Sequence, residues 1–145
     1  MIKEDILISA EKVLRLKELG FNFDNIRTLL YWSKCYEYKS ELEWENSPED
    51  EFDGHWWLSF HDDIMRNNVY NAIPALTFQD IWACLPKKII KDDIEYELKI
   101  YEDKELNYIQ YVDKFYSRVY VEKSDKNINE AAFEVLCFCL IYNFI

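Results

Sequence analysis

The sequence predicts an α+β domain: an antiparallel β-sheet, made of a hairpin plus a three-stranded meander, with about three helices packed mainly on one face. Three observations predict it. Two stretches, Thr77 to Leu85 and Asn127 to about Asn143, open on a capping residue and continue with apolar residues at helical spacing. Between them, Ile94 to Glu122 alternates apolar and polar residues in three runs, the period of half-buried strands. Finally, only two Gly and three Pro occur in 145 residues, too few tight turns for a many-stranded barrel or sandwich.

The length fits a single domain over residues 1–145, large enough for a core without metal or disulfide staples. Half the residues are apolar and 17% are aromatic, a composition that argues against disorder.

Taken in order, the first helix has readable ends. Ser9 is the N-cap, and Ile8 before it is placed to pack on Val13 as a hydrophobic staple. Gly20 stands where a left-handed stop residue is wanted, with Phe21 able to contact Leu16. The expected buried face is Ala10, Val13, Leu14 and Leu16. Ile26 to Trp32 then reads as a strand, and the alternation of Tyr36, Tyr38, Leu42 and Trp44 suggests a hairpin of 26–33 with 36–45.

An acidic and aromatic loop insertion follows, at about 41–75. Glu41 to Met65 holds nine acidic residues and no Lys or Arg, and within it lies the cluster His55, Trp56, Trp57, Leu58, Ser59, Phe60, His61. Trp57, Leu58 and Phe60 are apolar enough to dock on the core as a short strand or an irregular lid. Asp62 to Ala75 reads as a long connection.

Thr77 with Asp80 makes the second helix start, Leu76 staples to Ile81, and Phe78, Ile81, Trp82 and Leu85 share one face before Pro86 ends the helix. The meander strands are Ile94 to Tyr101, Leu106 to Val112 and Phe115 to Glu122, the last with Phe115, Ser117, Val119 and Val121 on one face. In the closing helix Asn127 caps and Glu130 completes a capping box. That helix is apolar nearly all round, so it is central or covered by a partner.

The net charge of −11 argues against nucleic acid or an anionic membrane as a direct partner, because both would repel it. The four Cys, at 35, 84, 137 and 139, lack metal-ligand spacing. Cys137 and Cys139 fall about 200° apart round a helix and cannot share an ion. Free cysteines in apolar patterns predict a reducing, cytoplasmic compartment. Lys3, Glu4, Asp5 and Glu11 interrupt the first apolar stretch before it reaches signal-peptide length, and Val135 to Ile141 is too short to span a bilayer.

Candidate chemistry is sparse. With only Gly20 and Gly54, no glycine-rich phosphate loop is possible. His55, His61, Asp62 and Asp63, with Asp53 nearby, are the one cluster of metal-binding or proton-moving types. In an extended chain the two histidines stand about 20 Å apart, too far for one ion, so exposed histidines on an aromatic loop is the favoured reading. No catalytic residue, metal ligand or cofactor is therefore assigned.

Ser9, Gly20 and Phe21 of the first helix, then Pro74, Thr77, Gln79, Trp82 and Leu85, a meander and a terminal helix opened by Asn127 resemble a group of small proteins encoded by phages and mobile elements of gut bacteria. In that group the middle helix often reads Trp-Leu-Arg, whereas here Trp82 is followed by Ala83, Cys84, Leu85 and Pro86. The resemblance implies a mobile-element origin and carries no site residue. The expected role is a non-enzymatic interaction or accessory protein with a protein partner or a second copy, using the surface of Trp44, Trp56, Trp57 and Phe60. The alternative is an acidic nucleic-acid mimic that inhibits a nucleic-acid-binding protein through the run at 41–53.

Overall fold

In the computed structural model, which describes residues 7–24, 26, 30–33, 56–60 and 72–145, three helices and two antiparallel sheets are arranged as an α+β fold. Helix α1 (Ala10–Glu18) forms where its capping chemistry places it. Ser9 Oγ accepts from the Lys12 amide at 3.4 Å, and Ile8 and Val13 are fully buried beside it. Gly20 takes φ +86°, which lets the Phe21 amide reach Leu16 O at 2.9 Å and the Gly20 amide reach Lys17 O at 3.0 Å. Those paired bonds are a Schellman stop. Ala10, Val13 and Leu16 are buried, while Leu14 is only half-buried.

Strands β1 (Leu30–Ser33), β2 (Trp57–Phe60) and β3 (Ala72–Pro74) form the first sheet in the order β2-β1-β3. This corrects the expected hairpin of 26–33 with 36–45. A strand has two edges, and Trp32 is opposite Leu58 on one side and Ile73 on the other, so both edges of β1 are taken. Residues 36–45 lie outside the described residues. Strand β3 falls where a connection was expected, and its Pro74, lacking an N–H, stands on an edge strand. Three bonds tie this sheet to the helices. Trp32 Nε1 donates to Ile8 O at 2.9 Å, the Ile8 amide donates to Leu76 O at 2.9 Å, and the Ala75 amide donates to Leu30 O at 3.0 Å.

Helix α2 (Phe78–Cys84) carries the full capping box: the Asp80 amide donates to Thr77 Oγ1 at 3.3 Å and the Thr77 amide to Asp80 Oδ2 at 2.9 Å. Leu76 and Ile81 are both buried, as a staple requires.

The second sheet has four strands rather than three: β4 (Lys88–Lys91), β5 (Ile94–Asp103), β6 (Leu106–Asp113) and β7 (Val119–Asp125), in that order. Asp92 and Asp93 join β4 to β5 with φ of 53° and 64°, the left-handed pair that a two-residue hairpin turn needs. Strand β7 begins at Val119, not Phe115. Val119 is opposite Val112 and Val121 opposite Tyr111, so Tyr120 is the extra residue of a bulge and the inward phase shifts by one.

Helix α3 (Ile128–Ile141) lies over β6 and β7 with α2 on its flank, so most of its apolar girth is central. Asn127 Oδ1 accepts from the Asn129 amide at 2.9 Å, as an N-cap does. The expected capping box with Glu130 does not form. The Asn127 amide donates instead to Asp125 Oδ1 at 2.9 Å, which frees the Glu130 carboxylate to pair with Lys12 of α1. Asn143, at φ +60°, ends the helix with the Phe144 amide on Cys139 O at 2.8 Å. No helix among the described residues is long and apolar enough to cross a membrane.

Candidate functional site

The expected interaction surface is only partly described. Trp56 is half-buried and packs against the core. Trp57 and Phe60 are the ends of β2, opposite Ser33 and Leu30 of β1, and Trp44 lies outside the described residues. His55, His61, Asp53, Asp62, Asp63 and the acidic run at 41–53 lie outside them as well. Among the described residues no three His, Cys, Asp or Glu side chains are grouped to hold a metal ion.

The described cysteines are free, and none is arranged as a nucleophile. Burial is the main cause that raises the thiol pKa of Cys84, Cys137 and Cys139, the Cys137 thiol being pushed up to about 11. All three thiols are therefore protonated near neutrality. Cys139 lies 3.7 Å from the hydroxyl of Tyr111, which in turn donates to Pro86 O at 2.8 Å. This small buried network joins α3, β6 and the end of α2.

Among the described residues, two hollows accompany the helix ends. One, of about 600 Å³, lies where the N-termini of α2 and α3 come together and is lined by Thr77, Gln79, Asn107, Lys126 and Asn127. Its helix amides are not open to an anion. Thr77 and Asn127 already cap them, and the Asp80 carboxylate adds negative charge at the opening. The other, of about 540 Å³, is bounded by Phe21, Ile26, Asp80, Ala83, Cys84 and Ile145. Its one nucleophilic group is the protonated Cys84.

The face of the second sheet away from α3 divides in two. In its middle the polar groups satisfy one another. Gln110 donates to Tyr101 Oη at 3.4 Å and to the Glu122 carboxylate, and the Tyr101 and Tyr108 rings stack at 4.6 Å. Lys88 pairs with Glu95 at 3.7 Å across β4 and β5. At the end where the β4–β5 and β6–β7 turns meet, large apolar side chains stand in water instead. Phe115 is 80% exposed, Tyr116 74%, Ile90 68% and Val119 48%.

These residues share one end of the sheet through the register of the strands. Ile90 is opposite Glu95, and the Lys114 amide next to Phe115 donates to Glu95 O at 3.5 Å. The turn that carries the aromatics is built rigidly. The carboxylate of the buried Asp113 accepts from the Phe115 amide at 2.9 Å, the Ser117 amide donates to Asp113 O at 3.0 Å, and the Asp113 amide donates to Arg118 O at 2.8 Å. Ser117 adopts φ +56°, and the Arg118 guanidinium rests 5.3 Å from the centre of the Tyr116 ring. The chain thus spends a buried carboxylate and a left-handed residue on holding two aromatic rings outward.

Alternation at 115–122 hid this feature, because the aromatics fit the pattern of a strand. The signal that could have found it is Asp113, an Asx-turn residue two positions before the aromatic pair. No protein-family model, curated protein or solved structure matches the chain.

Proposed function

We propose that the protein acts through protein contacts rather than catalysis, as a small accessory protein of a phage or mobile element, and that the turn end of the second sheet is its contact surface. The observation that carries this reading is the rigid display of Phe115 and Tyr116 at the β6–β7 turn. Leaving apolar surface in water forgoes about 25 cal/mol for each Å² that could have been buried. Aromatic side chains are enriched at interfaces, where they supply contact area with few torsions to freeze. A turn already fixed by its own hydrogen bonds has little order left to gain on binding, which favours affinity. The mobile-element setting is supported by the resemblance of the helix starts and the terminal helix.

The test is photo-crosslinking from the turn itself. A p-benzoylphenylalanine placed at position 115, irradiated in the cells that express the protein, is expected to give a discrete protein adduct. The same group at the exposed position 99 in the middle of the sheet is the control. Equal or absent crosslinking at the two positions would remove the reading.

A further inference from the structure

The geometry points to a second copy of this chain as the occupant of the turn end, joined through a two-fold axis along the sheet normal between β5 and β6. This rests on the turn end being a protein-contact surface, and it adds the identity of the partner. The argument comes from how charge is divided between the two turns. The β4–β5 turn is Asp92–Asp93, with no cation in it, and the β6–β7 turn runs from Lys114 to Arg118, with no acid in it. All four charged side chains are exposed, and among the described residues none of them is in an ion pair.

Because β4, β5, β6 and β7 are consecutive in the sheet, the two turns are separated by two strand spacings, about 10 Å. An acidic turn and a basic turn side by side at that distance form a self-complementary pair. A two-fold rotation about the sheet normal turns a second copy end to end with the first and exchanges the positions of the turns. Asp92 and Asp93 of each copy then face Lys114 and Arg118 of the other, with Phe115, Tyr116 and Ile90 packed between them. A two-fold axis lying in the sheet plane would set acid on acid and base on base, so charge selects between the two end-to-end arrangements. Both contacts are made twice, as an isologous interface requires.

The net charge of −11 does not decide against this pairing. Charges more than about 8 Å away are largely screened at physiological salt, so only the ends that meet count. At that end three acids, Asp92, Asp93 and the buried Asp113, balance three bases, Lys91, Lys114 and Arg118. A strongly basic or strongly acidic partner would instead find half of the site repulsive. The exposed area is also of the right order. Phe115 and Tyr116 belong to residue types that bury about 150–250 Å² each, and with Ile90 and Val119 they supply a large part of the roughly 800 Å² per partner of a standard interface.

Charge reversal tests the pairing because two-fold symmetry makes an unusual forecast. Wild type is expected to self-associate in sedimentation equilibrium. D92K with D93K sets like charges face to face, as does K114E with R118E, and each pair is expected to weaken the dimer about tenfold or more. Mixing the two variants is expected to restore association as a heterodimer, because the two altered turns then face each other with opposite signs, as do the two unaltered turns. The chain carrying all four changes is expected to dimerise like wild type. All four sites are exposed turn positions, so unchanged circular dichroism identifies variants that still fold. A monomeric wild type, or a mixture no stronger than either variant alone, overturns the self-association. The adduct formed from position 115 separates that failure from the broader one. An adduct of twice the protomer mass supports the dimer, an adduct to a different protein overturns it while leaving the contact surface intact, and no adduct removes both.

Discussion

Replacing Tyr111 by Phe removes one oxygen atom and leaves the ring in place, so it isolates the buried network that joins α2, β6 and α3. The Tyr111 side chain is fully buried, its hydroxyl donates to Pro86 O at 2.8 Å, and the Cys139 thiol lies 3.7 Å away. Without the hydroxyl, the Pro86 carbonyl and the thiol both lose a partner. An unmet acceptor costs about 1–3 kcal/mol when buried, and the half-buried Pro86 carbonyl belongs at the low end; the thiol donor adds only a few tenths, so the expected loss is about 1.5 kcal/mol. Unfolding entropy near 2.1 cal/mol/K per residue gives about 0.3 kcal/mol/K for 145 residues, so Tm should fall by about 5 °C.

Urea denaturation followed by tryptophan fluorescence, with an unchanged m-value, checks this loss of stability directly. Titration supplies an independent readout. Burial, then the neighbouring Cys139, pushes the Tyr111 pKa far above that of a free phenol. The folded state therefore holds this proton more tightly than the unfolded chain does. The resulting stability is complete below the unfolded pKa of about 10 and is lost as pH rises above it. Wild type should accordingly lose stability faster than Y111F between about pH 10 and 11. If Y111F melts with wild type, or the two alkaline profiles coincide, the network does not hold the fold as described.

Three further outcomes follow from local geometry. Gly20→Ala meets nothing within 4 Å of the new Cβ, so only the strain of φ +86° remains; it should cost about 1 kcal/mol, and an unchanged Tm would contradict the Schellman stop. Lys12→Met breaks the pair with Glu130 that joins α1 to α3. Both side chains are partly exposed, so denaturation at low salt should show a loss of about 0.5 kcal/mol that disappears near 1 M NaCl. With its thiol pushed up to about 11, Cys137 should react slowly with iodoacetamide at neutral pH and roughly tenfold faster per pH unit, then quickly once urea unfolds the chain. Peptide mapping that finds equal labelling in the folded and unfolded protein would refute its burial.

The helix ends were legible because capping is local: Ser9 and Thr77 with Asp80 at the starts, and Gly20 at a stop, each act within a few residues of themselves. The Glu130 capping box was not, because Lys12, more than a hundred residues away in sequence, competes for the same carboxylate. Strand β4 escaped notice for a related reason. Its four residues bury only Ile89, and the pairing that makes it a strand is supplied by β5. Likewise β3 exists because β1 had an open edge, which no window around Ala72–Pro74 contains. The candidate surface shows the limit most plainly. Phe115 and Tyr116 have strand propensity, and only the bulge at Tyr120 and the hydrogen bond from the Phe115 amide to Asp113 turn them outward.

The bonds among Ile8, Leu30, Trp32, Ala75 and Leu76 also impose an order on synthesis. Ile8 cannot complete its hydrogen bond until Leu76 has been made and has left the ribosome. At about 5–20 residues per second, that interval of nearly seventy residues lasts roughly 3–14 s. Throughout it, α1 has neither its sheet nor α2 to cover its apolar face, and short helices are marginal alone. The nascent N-terminal segment is therefore the stage at which a chaperone would have an apolar stretch to hold, and the arrival of Ala75 and Leu76 would release it.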